Sequence, residues 1–221
     1  LIFVGLNVMS SEQAFGNPLV KDLFKHIFSV IDFPLLLIVV GMIFTALIQS
    51  SSAATGVVIT MVGNNVLPLD LALFIVLGAN IGTCVTALLA SIGANANSKR
   101  VALIHFTFNV IGTAFFTIII WIFRQPVVNM LSAMVPGNNA MALQMRISIF
   151  HVIFNVSTTC LLLPFVKQLV SFSRVVIKDK TEKKEEFALK YVDDRLLSMT
   201  PVALMQVKKE IEYMMSLVEK I

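Results

Sequence analysis

The residues best placed to do chemistry in this chain are polar groups set among apolar ones. Gln49, Ser50, Ser51 and Ser52 follow one another between an apolar run from Pro34 and another ending at Val66. Clustered hydroxyls and irregular backbone persist at membrane depth only inside protein or against a wet cavity. A chain break at this point starts the second run with unpaired backbone N–H groups and a positive dipole end, and the serine hydroxyls add donors. That set suits an oxyanion. The carbonyls ending the first run, with glutamine and serine oxygens, suit a hard cation such as sodium. Helix capping or close packing is the plainer explanation of any one serine; four polar residues in a row at a break point to binding.

A second interruption, Gly78-Ala79-Asn80-Ile81-Gly82-Thr83, lies within Leu69 to Ile92. Glycine permits unwinding and Asn80 and Thr83 supply oxygens, so a broken helix forming a second wall of the same site is expected. Gly78-xxx-Gly82 equally fits close helix packing. Further on, Arg100-x4-His105-x2-Phe108-Asn109 recurs as Arg146-x4-His151-x2-Phe154-Asn155. His and Asn four apart share a helix face, so each copy carries a polar stripe through an apolar span. Interhelical hydrogen bonds that lock a bundle account for the stripes; pH sensing or substrate contact by His105 or His151 is the alternative.

The elements that position these groups follow from composition. Of 221 residues, 57% are hydrophobic and 14% charged, with a mean hydropathy of +0.87. A soluble domain carries about 25% charged residues. Residues 1–173 hold seven Lys/Arg and four Asp/Glu, whereas residues 174–221 hold ten and nine. An integral membrane region is therefore followed by a charged tail. The overall charge of +4 does not indicate nucleic acid, because the tail lacks a basic stripe interleaved with exposed aromatics. Cys84 and Cys160 lie in apolar runs, with no disulfide or metal-ligand spacing. A GxxxxGK[ST] loop is absent, as are paired carboxylates on one face and any Ser/His/Asp ordering, so no enzyme is expected. Asp32 and Asp70 fall at block ends, which leaves no mid-membrane carboxylate relay and favours sodium over proton coupling.

Four apolar blocks follow Pro34. In the first, each arm beside the Gln49–Ser52 interruption has about 14–15 residues, roughly 22 Å of helix against a hydrocarbon core of about 30 Å. Two arms too short to span predict a re-entrant helical hairpin, one long kinked span being the alternative. The third and fourth blocks, Val101 to Phe123 and Ile147 to Phe172, are long enough to cross. Lys99, Arg100 and the basic tail then share one side, cytoplasmic by the positive-inside rule, with Arg124, Arg146 and the Pro/Gly/Asn loop between them outside. From Pro201, Leu204, Val207, Ile211, Met214 or Met215 and Val218 recur at helical spacing, giving an amphipathic helix without a partner face in the chain. Residues 178–186, KDKTEKKEE, read as solvated linker. LIFVGLNVMS lacks a basic start and a cleavage site, and reads as the end of an earlier membrane segment of a longer protein.

At these residues the chain resembles the type II sodium-phosphate cotransporters. TALIQSSSAAT (Thr45 to Thr55), LGANIGTCVTALLAS (Leu77 to Ser91) and VALIHFTFN (Val101 to Asn109) occur in that family's order and approximate spacing. The resemblance implies an all-α polytopic membrane protein. The expected parts are one inverted-repeat half (residues 1–173) with its re-entrant hairpin and broken helix, a linker (174–190), and a cytoplasmic helix (191–221) resembling the start of a PhoU-like domain. It implies sodium-driven phosphate uptake by alternating access, in the plasma or inner membrane, with the C-terminus cytoplasmic. Phosphate would be held by Gln49, Ser50, Ser51 and Ser52, and sodium by Gln49, Ser51, Thr55, Asn80, Thr83 and Thr86. His105, Asn109, His151 and Asn155 are expected to be structural or gating polar groups. No cofactor beyond sodium as coupling ion is implied. Family members carry two such repeats whose tips meet; this chain has one and should hold half a site. A first repeat or another copy of the chain is therefore an expected partner, beside lipid and a cytoplasmic partner for the tail helix. A phosphate-sensing membrane regulator, or a carrier of another oxyanion, is the alternative function.

Overall fold

From Leu71 to Leu77 every residue is apolar, so that stretch presents no polar face and belongs inside the protein. The computed structural model places it there. It describes residues 4–5, 8–9, 11, 14–30, 33–178, 191–192 and 200–218. Most of LIFVGLNVMS, and residues 179–190 of the linker, lie outside that set. The helices are α1 (Pro18–Val30), α2 (Pro34–Ile48), α3 (Ser51–Gly63), α4 (Leu69–Ala90), α5 (Ala96–Ile122), α6 (Arg124–Met134), α7 (Ala140–Leu162), α8 (Val166–Val176) and α9 (Thr200–Val218). They form two units, Leu1–Lys178 and Asp179–Ile221.

Helix α4 is the axis of the first unit. In its most apolar stretch 72% of residues are buried, against 28% for α5 and 22% for Ala140–Val176, the other two segments long and apolar enough to cross a membrane. It touches α2, α3, α5, α6 and α7. The closest approach is to α2 and is made by glycine. A methyl group on Gly78 would overlap the Ile38 carbonyl, and one on Gly41 the Ile75 carbonyl. At Gly82 it would lie 2.5 Å from the Met42 carbonyl oxygen and 2.8 Å from Thr45 Cβ.

This overturns the expected broken helix. Helix α4 runs without interruption through Gly78–Thr83. Its glycines let another backbone approach, the small-residue packing that the spacing also allowed. Its polar residues reinforce the helix: Asn80 Nδ2 donates to the Val76 carbonyl at 2.9 Å, and Thr83 Oγ1 to that of Asn80 at 2.6 Å.

Cross-contacts fix the helix directions. Ile38 meets Gly78 and Met42 meets Gly82, so α2 and α4 run the same way. Thr113 Oγ1 donates to the Leu77 carbonyl at 3.2 Å and Asn109 Nδ2 to Cys84 Sγ at 3.3 Å, so α5 runs opposite to α4. Gly112 packs on Thr158, and Phe116 lies edge-on to Phe150 and Phe154, so α7 runs opposite to α5. At its C-terminal end α3 meets α7 near the start of that helix, where Gly63 abuts Gln144. The open ends of the α2–α3 hairpin therefore share one side with the start of α4, and its tip lies toward the other.

The repeated arginines hold helix ends. Arg100, in the first turns of α5, donates through Nε and Nη2 to the Ile177 carbonyl that ends α8, at 3.1 and 2.9 Å. Arg146 donates through the same two nitrogens to the Val135 carbonyl that ends α6, at 3.1 and 3.0 Å. Cations at helix C-termini answer the negative dipole end and the orphan carbonyls. Arg146 is thereby buried, at 5% exposure, and the stretch from Arg124 to Arg146 is helical in α6 and again from Ala140. The last block also starts earlier than expected, at Ala140, and turns at Leu163–Phe165, around Pro164, into α8. Helix α1 was not foreseen; Phe24 and Phe28 join its inner face to the core, with Phe15 edge-on to Phe24. In the second unit, the Tyr191 N–H donates to Glu210 of α9 at 2.7 Å, and Tyr191 stacks edge-on against Tyr213.

Gly78→Ala tests the close approach. Overpacking costs typically about 1–3 kcal/mol, so this variant should melt several degrees below the parent protein in detergent. Gly5→Ala, with open space around its Cβ position, should melt with the parent.

Candidate functional site: a polar hairpin tip beside a small-residue helix

Helix α2 ends at Ile48 and α3 begins at Ser51, which leaves two residues to reverse the chain. Gln49 manages this by adopting a left-handed conformation, φ 57°, while its N–H bonds the Thr45 carbonyl at 2.8 Å. A non-glycine residue pays for φ above zero with Cβ crowding of roughly 1–2 kcal/mol. Ser50 then caps α3: its backbone is extended and its Oγ accepts from the Ala53 N–H at 3.3 Å. The Ser51 and Ser52 N–H groups stand in the first turn, where no intrahelical acceptor exists. Gln49 and Ser52 are exposed, Ser50 and Ser51 half-buried. Donors, hydroxyls and a helix N-terminus converge at one accessible tip with no acidic side chain in it.

Thr45 ties this tip to α4. It lies one turn before Gln49, is fully buried, and packs against Gly82. Among the described residues its hydroxyl has no hydrogen-bond partner, and neither has that of Thr55, 6% exposed, on the opposite arm. Other threonines of the bundle satisfy themselves on their own helix, Thr60 on the Gly56 carbonyl and Thr159 on that of Asn155. The unpaired hydroxyls therefore bracket the tip, one in each arm; Thr117 and Thr158 are two more, in α5 and α7.

The other expected site residues divide. Asn80 is buried at 8% exposure on α4, with His151 Nε2 of α7 3.3 Å from its Oδ1. Thr83 is half-buried and Thr86 exposed further along α4, the latter donating to the Thr83 carbonyl at 2.9 Å. Among the described residues no hydrogen bond links the tip serines to Asn80, Thr83 or Thr86. The connection is the packing of Thr45 on Gly82. In the two stripes each Asn donates to the carbonyl of its own His, Asn109 to His105 at 3.0 Å and Asn155 to His151 at 2.8 Å. Each stripe also reaches α4, one through Asn109 to Cys84 and the other through His151 to Asn80. His105 is exposed. Sequence reasoning passed over Thr45 and Cys84. The signal for Thr45 was its position one helical turn before the tip, on the face opposite Gly82.

Fold and site together define a polytopic α-helical membrane protein built around a polar-tipped helical hairpin. The sequence profile of the Na+/Pi-cotransporter family matches residues 1–137, and the chain belongs to that family. It is 30% identical over 143 residues to the uncharacterized protein YqeW of Bacillus subtilis, covering 65% of this chain and 44% of that protein. It is 28% identical over 171 residues to Escherichia coli YjbB, which carries the provisional name of an inorganic phosphate export protein; 77% of this chain and 30% of YjbB are covered. Human sodium-dependent phosphate transport protein 2B is 35% identical over 111 residues, which cover 47% of this chain and 16% of that protein. The chain thus spans less than half the length of each of these relatives. No solved structure matches it.

The left-handed Gln49 yields an unusual expectation. Gln49→Gly should hold or raise the melting temperature, because glycine adopts this φ without crowding, whereas β-branched Gln49→Val should lower it by a few degrees, for a stability loss of roughly 1–2 kcal/mol. Thermal unfolding of both variants checks this.

Proposed function

We propose that this chain forms one half of a sodium-coupled carrier that moves inorganic phosphate across the membrane by alternating access. The observation that carries the reading is the tip. Two helices of 15 and 13 residues, each shorter than a bilayer core, meet at Gln49–Ser52 and aim the N-terminus of α3 into that junction. Free N–H groups of Ser51 and Ser52 and the hydroxyls of Ser50, Ser51 and Ser52 supply donors for a tetrahedral oxyanion. Neutral oxygens of Gln49, Ser51, Thr55, Asn80, Thr83 and Thr86 supply a hard cation, and sodium tolerates such a set without a carboxylate. Family membership and the names of the relatives support phosphate as the anion and sodium as the coupling ion.

A complete site takes a second hairpin, from a first repeat or from another copy of the chain, to close over the tip. The basic residues Lys99 and Arg100, and the basic tail, favour a cytoplasmic side for the start of α5 and the C-terminus, in a plasma or inner membrane. The tail helix α9, with Leu204, Met205, Val207, Ile211, Met214 and Met215 exposed along it, is the start of a PhoU-like helical domain in this reading and docks a cytoplasmic partner. Transport direction follows the gradients, and the relative named for export makes efflux the second reading to test.

Labelled-phosphate flux in vesicles carrying the whole gene product is the test. Uptake should require an inward sodium gradient and fall to background when choline replaces sodium. Ser50→Ala combined with Ser51→Ala should lower uptake at least tenfold while the protein still reaches the membrane. Flux indifferent to sodium contradicts the coupling, and flux that survives the double substitution contradicts the site. Efflux from preloaded vesicles without uptake selects the export reading, and competition by sulfate or arsenate ranks the anions.

A further inference from the structure

The two copies of the Arg-His-Asn pattern share an arginine on a helix-end carbonyl and an asparagine on the carbonyl of its own histidine, but differ at the histidine side chains. His105 is exposed, and its backbone carbonyl is what α4 and Asn109 use. His151 instead turns its imidazole to α4 and brings Nε2 within 3.3 Å of Asn80 Oδ1. Asn80 is buried at 8% exposure, and its amide nitrogen is already committed to the Val76 carbonyl at 2.9 Å. That bond fixes which end of the carboxamide faces α7, because the flipped rotamer would set Oδ1 against a carbonyl oxygen. The atom facing His151 is an acceptor, so the imidazole is a donor there and carries its proton on Nε2. A carbonyl oxygen has two lone pairs, and one donor leaves the second free.

We propose that His151 is a positioning residue for the cation: it holds Asn80 Oδ1 in a fixed direction so that the remaining lone pair serves as a sodium ligand. The inference rests on the reading of Asn80 as part of the cation site. Groups behind metal ligands orient them and raise their basicity, and losing one typically costs about 10–100-fold in affinity or activity. On the α7 side, Asn155 Nδ2 donates to the His151 backbone carbonyl at 2.8 Å, so that acceptor is taken up within its own helix. On the α4 side, Thr83 Oγ1 donates to the Asn80 backbone carbonyl at 2.6 Å, so backbone and side chain of Asn80 are both held. A plain bundle lock uses the same Nε2–Oδ1 bond but sets stability; a positioning donor also sets sodium affinity.

The test exploits that difference. Glutamine places its amide nitrogen about where histidine has Nε2, whereas asparagine reaches only to the place of Nδ1. The whole gene product is reconstituted in proteoliposomes, and phosphate uptake is measured against external sodium for the parent, His151→Gln, His151→Asn and His151→Leu. The sodium concentration for half-maximal uptake should rise about tenfold or more in His151→Asn and His151→Leu. It should stay within about threefold of the parent in His151→Gln. Maximal rate and phosphate half-saturation, both at saturating sodium, should change by less than about twofold throughout. Sodium-induced thermal stabilisation should be lost and kept in the same order. His151→Gln and His151→Asn both keep a polar side chain, so the comparison survives if His151→Leu fails to fold. Equal sodium dependence in His151→Gln and His151→Asn overturns the proposal, as does a fall in maximal rate with sodium affinity unchanged. If the parent itself transports phosphate without regard to sodium, the cation site fails as a whole, and this role of His151 falls with it. That failure shows in the parent, not in the variants.

Discussion

Everything in the membrane unit depends on the close approach of α2 to α4. A helix of 15 residues cannot span hydrocarbon, so α2 must be held along a partner that can. Gly41 and Gly78 remove the side chains that would keep the two backbones apart, and Gly82 does the same beside Met42 and Thr45. Without a hydrophobic drive between helices in lipid, such packing is a principal source of association. Because the two helices run in the same direction, the approach also carries the tip of α2 toward the C-terminal half of α4. The hairpin's depth is therefore a consequence of glycine spacing, set before any ligand is considered.

A second constraint is that polar groups inside an apolar bundle need partners. The chain meets it mostly within single helices: Asn80 on Val76, Thr60 on Gly56, Asn109 on His105, Asn155 on His151. The arginines of the two stripes go to carbonyls that end neighbouring helices, which needs no acidic residue. Against that background the unpaired hydroxyls of Thr45 and Thr55 stand out, as do the free N–H groups at the start of α3. Of the four buried threonine hydroxyls without a partner among the described residues, these are the two that flank the tip. Neutral oxygens and amide hydrogens suit small inorganic ions that must be bound and then released.

Much of this was legible from particular residues. Four polar side chains between two short apolar runs located the hairpin and its tip, because helix length and bilayer thickness are both fixed quantities. The charge pattern set the start of α5 and the segment after the last block on one side, and the bond from Arg100 to Ile177 brings the start of α5 and the end of α8 together. The Gly78–Thr83 segment was ambiguous for a physical reason: glycine serves both unwinding and close contact, and only the neighbouring helix decides. Once α2 lies in that groove, the helix has no cause to open. The bonding of Arg146 to helix-end carbonyls was not legible, because a charge count cannot tell an exposed arginine from a buried one. Helix α1 was missed because its apolar residues cover one face only, and whole-segment hydropathy passes over them. The two histidines looked equivalent in sequence; their neighbours on α4, Cys84 in one copy and Asn80 in the other, make them different.

The central claim is that the tip at Gln49–Ser52 is a water-accessible anion site within the membrane. It is tested most directly by thiol accessibility at Ser52→Cys in the whole gene product, with exposed Cys160 and any cysteine outside this chain replaced by serine and Cys84 left in its fully buried place. A small, charged, membrane-impermeant reagent should label this cysteine. Phosphate and sodium together should slow the labelling several-fold, and neither chloride nor choline should substitute. A cysteine that cannot be labelled from either side, or one whose labelling ignores phosphate, would contradict the account.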